Sequence, residues 1–317
     1  MIKTKPALAH DAVLSELIFP CWQQPKIDGV RAWNPNGALL GRSMDPHKGF
    51  GITEYFSKPE FVGLDGEMIL GSKPNCTDRL CSLTTGAMSG FRGITAMQDI
   101  NWWVFDYLTE ETLDFSYEAR YYALADEVLA LHHPRVHLVP YTWVDNLSQA
   151  NEAIANNAEA GYEGTVFRNP SEKHKPGRPT KKGQQLMRVK PWSDSEAIIT
   201  GIVEGSENQN EAKVNSLGRT ERSSAQEGKV PNGKVGSLKG KLLADFFDPY
   251  TGKLLFPKDL AITMGKGEMT DAEAIHYFNH PDEIVGHVVK FQHMTHGVLD
   301  LPRFGGYLSH RSKEDMS

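Results

Sequence analysis

Over the first 190 residues, short runs rich in β-branched and aromatic residues are interleaved with longer stretches of helical spacing. Residues 21–33 read as a strand, a tight turn and a second strand. Four further strands are predicted at 61–70, 102–108, 161–168 and 186–190. The turn signal Asn34-Pro35-Asn36-Gly37 predicts that the second strand returns as a hairpin through 39–42. A short helical segment is expected before Cys21, and longer helices at 117–132 and 147–160, each ending near Pro or Gly. Strands mixed with helices, without strict alternation, argue for an α+β fold.

The texture changes after Pro191-Trp192-Ser193-Asp194, which reads as a linker. Strand patterns follow at 197–203, 235–247, 253–256, 284–294 and 299–308. In the fourth, Val289 and Phe291 alternate with Lys290 and Gln292, the pattern of a half-buried strand. Thr270-Asp271-Ala272-Glu273 is a capping box that opens a short helix stopping at Pro281. Five strands with one helix before the fourth predict a small Greek-key barrel of the OB type. The expected domains are therefore 1–192 and 193–317. Residues 206–233 are polar and Gly-rich, too long for a hairpin turn, and loops of that length are often functional.

Composition is ordinary for a globular chain, and no apolar run reaches membrane-spanning length, so a soluble intracellular protein without a membrane partner is expected. The spacing of Cys21, Cys76 and Cys81 suits neither a disulfide framework nor a zinc site. Net charge is −6, yet the cations are clustered. Lys173, Lys175, Arg178, Lys181, Lys182, Arg188 and Lys190 follow one another with no acid between them. A second basic stretch runs from Lys213 through Arg219, Arg222 and Lys229 to Lys241. Basic patches on an acidic body suit a polyanion bound in a groove.

The chemistry centres on Gln24-Pro25-Lys26-Ile27-Asp28-Gly29-Val30-Arg31, where a lysine on an apolar strand runs into an Asp-Gly turn. Such a lysine is a candidate covalent nucleophile, provided burial and nearby cations bring its amine below the ordinary pKa of about 10.4. Glu67, Glu163, Arg188 and Lys190 are likewise set on apolar strands, where burial is costly without a partner. Other signals fail. Gly228 to Lys234 has P-loop spacing, but Val235 stands where Ser or Thr is needed and a proline interrupts it. His132, His133, His137, His293 and His296 lack partners at metal-ligand spacing and read as structural.

Taken in order, these motifs resemble the covalent nucleotidyltransferase superfamily and, within it, the compact ATP-dependent DNA ligases of viral or phage kind. Lys26 to Arg31 matches K-x-D-G-x-R, Gly41-Arg42-Ser43 the second motif, and Leu64-Asp65-Gly66-Glu67 the D-G-E motif. Phe105-Asp106-Tyr107-Leu108 matches the aromatic strand motif, Glu163-Gly164-Thr165-Val166 E-G-x-V, and Arg188-Val189-Lys190 K-x-K with arginine for the first lysine. Pro302-Arg303-Phe304 with Arg311-Ser312-Lys313 resembles R-x-D-K without its aspartate.

The resemblance implies an adenylation domain followed by an OB barrel, with ATP and Mg²⁺ or Mn²⁺ as cofactors and nicked duplex DNA as the partner of a monomeric enzyme. It assigns Lys26 as nucleophile beside Asp28, with Lys190 and Arg188 on the α-phosphate. Glu67 takes the ribose and, with Glu163, a divalent metal. Phe105 stacks on the base, Gln24 meets its edge, and Ile27 belongs to the nucleotide-binding residues. Arg31 and Arg42 contact ribose or nick phosphate, and Arg311 and Lys313 the leaving pyrophosphate. Lys173, Lys175, Lys181 and Lys182 would contact DNA, as would Arg219, Arg222 and Lys229 on an insertion that closes around the duplex. An mRNA-capping guanylyltransferase and an RNA ligase share the lysine motif and are the rival enzymes. A non-catalytic OB-fold nucleic-acid-binding protein would leave Lys26, Glu67, Glu163 and Lys190 unexplained. A glutamine both donates and accepts, so Gln24 alone does not choose adenine over guanine.

Overall fold

The structure, a computed structural model, describes residues 4–49, 51–75, 80–90, 99–214, 218, 220–298 and 301–311, with side chains left out at 296–298. Cys76, Arg219 and Lys313 lie outside the described residues. The chain divides into two units, Met1–Lys190 and Pro191–Ser317.

The first unit holds β1 (His10–Asp11), β2 (Cys21–Lys26), β3 (Val30–Trp33), β4 (Leu64–Leu70), β5 (Ile100–Tyr107), β6 (Val136–Leu138), β7 (Thr142–Val144), β8 (Gly164–Arg168) and β9 (Met187–Val189). Its helices are α1 (Ile52–Phe56), α2 (Leu80–Met88), α3 (Tyr117–Leu131) and α4 (Leu147–Glu159). The strands make two sheets, ordered β1-β9-β8-β2-β7 and β3-β4-β5-β6. Ile27-Asp28-Gly29 carries the chain from one sheet to the other, directly after Lys26. A Cβ on Gly29 would lie 2.5 Å from the Met68 carbonyl oxygen, so only glycine lets the turn lie this close to β4.

Each sheet covers its own core. Phe56, Phe61, Met68, Trp102, Val104 and Leu124 pack on the second sheet. Cys21, Val144, Ala150, Ile154, Phe167 and Met187 pack on the first, with α4 supplying Ala150 and Ile154. Trp22, Tyr117 and Tyr121 form an aromatic cluster, and Tyr141 stacks on Trp22 at 3.7 Å between centroids. Ser116 caps α3 by accepting from the Ala119 N–H, and Asn146 caps α4 from Gln149, as their short polar side chains favour. Trp22, Trp33 and Trp102 are fully buried, whereas Trp143 in this unit and Trp192 in the next stand 47% and 43% exposed.

Two expectations change here. The segment before Cys21 is the two-residue strand β1 and a single 3₁₀ turn at Leu14–Glu16. After the Asn34–Gly37 turn, Leu40 returns to the free edge of β3 through a single bridge, its N–H and carbonyl both bonded to Trp33, and then bridges to Pro46 instead of extending the pairing to Arg42.

In the second unit β10 (Trp192–Asn208), β13 (Lys229–Leu242), β16 (Ala261–Gly265), β17 (Val288–Val298) and β18 (Leu301–His310) close a barrel in the order β10-β13-β16-β18-β17. Ala197, Ile199, Leu238, Met264, Val289, Phe291 and Tyr307 fill it. The single helix α5 (Asp271–Asn279) starts at the expected capping box, with Thr270 and Glu273 bonded reciprocally. Three boundaries differ from the sequence reading. Trp192 to Asp194 begin β10 instead of forming a linker. β15 (Leu254–Phe256) pairs with β14 (Phe246–Phe247) in a separate ribbon. Its expected place in the barrel is taken by β16, whose buried Ile262 and Met264 alternate with exposed Ala261 and Thr263. Residues 206–233 are an arm: β10 and β13 stay paired out to Asn208 and Lys229, and β11 (Ala212–Val214) with β12 (Thr220–Arg222) forms an exposed hairpin beyond them. No described helix is long and apolar enough to cross a membrane.

Candidate active site

Strand periodicity puts Trp22, Gln24 and Lys26 on one face of β2. Trp22 is locked in the aromatic cluster, which leaves Gln24 and Lys26 to line a cleft in the first unit. β7 pairs with β2 only from Cys21 to Gln23, so Pro25, which has no N–H to donate, falls where that side of β2 has lost its partner. Phe105, Glu67, Arg31 and Arg42 line the cleft from the second sheet and the loop beyond β3. Val166, Arg168, Leu186 and Arg188 line it from the first, and Ala7 to Ala9 from the N-terminal segment. The enclosed part of the cleft measures about 140 Å³, and its mouth opens to solvent.

At the end of β2, the Glu163 carboxylate joins two ammonium groups. One oxygen accepts from Lys26 Nζ, and the other lies 2.5 Å from Lys190 Nζ. Glu163 is 4% exposed, and the Glu163 N–H donates to the Lys26 carbonyl, so backbone and side chain hold the same pair. Gly164 follows because β9 passes too close for a side chain: a Cβ there would lie 2.2 Å from the Val189 oxygen. Burial opposes ionisation of Glu163, but Lys26 and Lys190 outweigh it and hold the carboxyl below its usual range. Glu67 has no such neutralisation. Burial dominates over Arg31 and Lys26 and pushes its carboxyl up to about 7.

Arg31 grips Asp65 through two hydrogen bonds of 2.5 Å, so its fork is occupied within the protein. Its guanidinium carbon stands 4.7 Å from the centre of the Phe105 ring. Arg168 approaches the same ring at 5.1 Å and lies over Tyr117 at 4.2 Å. Behind Phe105, Asp106 receives Arg120 at 2.7 Å and Arg168 at 3.7 Å. Burial works against that carboxylate, but Arg120 and Arg168 hold it at about 2. This buried network fixes the aromatic wall of the cleft. Arg168 and Tyr117 were not singled out from the sequence, and Asp65 entered only as part of the D-G-E motif. A cation on an apolar strand was the available signal for Arg168, whereas Tyr117 opens a helix with nothing local to mark it.

The other expected residues fall into distinct places. Asp28 and Ile27 are buried in the turn, Ile27 packing with Ile69, Leu80 and Val139. Arg188 lines the cleft, but its guanidinium is paired with Asp11 at 2.7 Å, which competes with the assignment to the α-phosphate. Arg42 is exposed at the cleft, and Lys173, Lys175, Lys181 and Lys182 are exposed on the loop before β9. In the second unit, Arg311 is paired with Glu196 at 2.6 Å. Arg222 is exposed on the arm, where its side chain donates to the Asn210 carbonyl, and Lys229 opens β13. His133 bonds the Tyr55 hydroxyl, His137 the Asn101 side chain and His293 Ser195, each a structural contact.

Residues 48–190 match the family model of the ATP-dependent DNA ligase domain, a stretch that takes in Glu67, Phe105, Glu163, Arg188 and Lys190. The chain carries an ATP-dependent DNA ligase domain. No curated protein matches the chain. Among solved structures, the Chlorella virus DNA ligase-adenylate is 21% identical over 97% of this chain and 99% of that chain, with a TM-score of 0.50. A structure from a study of DNA binding by the minimal scaffold of Lig E DNA ligases is 18% identical over 98% of this chain and 100% of that chain, with a TM-score of 0.69. At these identities the likeness is one of fold, and it takes in both units of the ligase, adenylation domain and OB-type barrel. Lys26 precedes the matched stretch, but β2 places it against Glu163 and Lys190, both inside the ligase domain.

Among the described residues no group of three or more His, Cys, Asp or Glu gathers to hold a metal. Glu67 lines the cleft as a hard oxygen donor, and Glu163 lies behind Lys26, its two oxygens held by Lys26 and Lys190 until a nucleotide draws the lysines away. Mg²⁺ is commonly held by one or two carboxylates, with substrate phosphates completing its shell. The donor set of the ligase domain therefore fits such an ion bound together with a nucleotide.

Proposed function

We propose that the protein seals nicks in duplex DNA with ATP, through an adenylate carried on Lys26. The observation that carries this reading is the Lys26–Glu163–Lys190 cluster at the end of an aromatic-walled cleft. Lys26 is unreactive while it is bound to Glu163, since an ammonium has no lone pair. Once Lys26 is released and deprotonated, its Nζ attacks the α-phosphorus, the N–P bond forms, and the bond to the β-phosphate breaks as pyrophosphate departs. Lys190 passes from Glu163 to the α-phosphate, where its charge meets the negative charge that grows in the transition state. Phe105 supports the base, and Gln24 meets its edge. Mg²⁺ or Mn²⁺ held by Glu163 and Glu67 would supply further charge neutralisation at the phosphates.

In the second step a DNA 5′-phosphate oxygen attacks the lysyl-adenylate and Lys26 leaves. In the third, the 3′-hydroxyl displaces AMP and joins the strand. Arg42 and the exposed lysines at 173, 175, 181 and 182 would contact backbone phosphates, as would Arg222 and Lys229 from the arm and Arg219 next to them in sequence. Arg311 and Lys313 would serve the pyrophosphate in the first step, for which Arg311 must exchange its Glu196 partner.

The test is incubation with Mg²⁺ and α-labelled ATP or GTP, followed by acid precipitation. The expected result is an acid-stable label from ATP that Lys26→Ala abolishes, and sealing of nicked DNA in preference to nicked RNA. Label from GTP alone would overturn the reading in favour of a capping enzyme.

A further inference from the structure

The arginine that stands in place of the first lysine of K-x-K has a partner of its own. Gln24 on β2, Val166 on β8 and Arg188 on β9 lie opposite one another across the sheet, and all three line the cleft. The row ends on Asp11, which faces Arg188 from the edge strand β1. Main-chain bonds hold that strand in register: the His10 N–H donates to the Leu186 carbonyl at 3.1 Å, and the Ala12 N–H to the Arg188 carbonyl at 2.8 Å. Sheet pairing therefore brings the carboxylate to the guanidinium. Hydrogen bonds from Arg188 hold the Asp11 carboxyl below its usual range against burial, aided by the charges of Arg188, Lys190 and Arg178, so it is an anion at neutral pH.

The way the pair is joined decides what Arg188 can still do. Its Nε donates to Asp11 Oδ1 at 2.7 Å and its Nη2 to Oδ2 at 3.3 Å. A guanidinium carries five N–H donors in one plane, and this grip takes two of them, along the side edge. The end edge, Nη1 with the second proton of Nη2, makes no hydrogen bond among the described residues. Asp11 therefore competes with a phosphate for one edge only, and it fixes the plane and direction of the other. An arginine tip that is already held has less rotamer freedom to lose when it binds. An ammonium has no second edge to present, so the same carboxylate beside a lysine would only cancel charge.

We propose that Asp11 is a positioning residue, which holds Arg188 by one edge so that the other is presented to the phosphates of a nucleotide in the cleft. This inference rests on the function proposed above and adds the N-terminal strand to the nucleotide site. The test is a double-variant cycle on self-labelling by α-labelled ATP over a range of concentrations, with the wild type, Asp11→Asn, Arg188→Lys and the double variant. Asp11→Asn should lower kcat/KM about three- to fivefold, the size expected of an exposed ion pair, with the larger part in KM. In the Arg188→Lys background the same change should keep kcat/KM within about 1.5-fold or raise it, because no fork remains to be aimed.

Removing a carboxylate by itself makes the cleft more attractive to ATP, so the sign of the effect separates the two roles open to Asp11. A rise in kcat/KM for Asp11→Asn marks a carboxylate that only competes, and it overturns the inference, as does no change. A fall of equal size in both backgrounds overturns it too, since it would report on the docking of β1 instead of on Arg188. The Asp11 side chain is 72% exposed, so thermal denaturation should place Asp11→Asn within about 2 °C of the wild type. If that variant does not fold, Asp11→Ser, which also lacks the two-point grip, carries the same cycle with the same outcomes. A wild type that takes no label from ATP refutes the proposed function instead.

Discussion

Glu163→Gln probes the centre of the site, because one carboxylate is shared by two ammonium groups. The side chains of Lys26 and Lys190 are 20% and 16% exposed and that of Glu163 6%, so little water is available to replace the lost charge. Breaking a buried pair from one side costs about 3–5 kcal/mol; partial exposure of the lysines argues for the lower end, about 3 kcal/mol. In a unit of this size, 1 kcal/mol shifts Tm by about 2–4 °C, so thermal denaturation followed by circular dichroism should show a fall of about 6–12 °C in the first unit. Adding Lys190→Met removes one of the stranded charges and should recover about half of the loss, a coupling that only neighbouring groups show. A fall of less than about 2 °C, or a double variant no more stable than the single one, would refute the argument that one buried carboxylate holds both lysines.

Three further outcomes follow from the same geometry. Glu67 has a folded pKa of about 7 against 4.5 unfolded, so the folded state binds more protons between those values and stability falls as pH rises through that window. Glu67→Gln should flatten this slope, worth about 3 kcal/mol in total, and an unchanged denaturation profile between those pH values counts against it. Asp106 is depressed to about 2 from 3.8, so its contribution is present above 3.8 and lost as pH falls through about 2. Asp106→Asn should cost about 3–5 kcal/mol in urea unfolding at neutral pH by stranding Arg120 and Arg168, and a cost below about 1 kcal/mol would dismiss the network. Replacing 209–228 with a tight turn removes Lys213, Arg219 and Arg222. It should weaken nick binding and reduce the slope of log K against log salt by about 2–3, and an unchanged slope would mean that the arm does not touch phosphates.

What the sequence revealed depended on how local its causes were. Strands β4 and β5, helices α3 and α4 and the capped α5 follow from periodicity and end signals contained within each segment. The barrel strand β16 was missed because Ala261 and Thr263 dilute its apolar alternation to two residues, Ile262 and Met264, while Leu254–Phe256 offers a more apolar run that pairs outside the barrel. Lys26, Glu67, Phe105, Glu163 and Lys190 could be named in advance because the chemistry restricts residue type at each position. Their pairing could not. That Arg188 turns to Asp11, Arg31 to Asp65 and Tyr117 to Gln24 depends on contacts across 34 to 177 positions, which no spacing rule reports.

The placement of the six tryptophans makes the two units optically separable. Trp22, Trp33 and Trp102 are buried, Trp103 is half-buried with its ring nitrogen enclosed, and Trp143 and Trp192 are exposed, one in each unit. A dissolved quencher such as iodide thus has one fully accessible emitter per unit. With Trp103→Phe and Trp143→Phe together, the quenchable emission of the native protein comes from the barrel; with Trp192→Phe, it comes from the adenylation unit. The chain therefore carries two built-in fluorophores, one reporting on each unit without any added label.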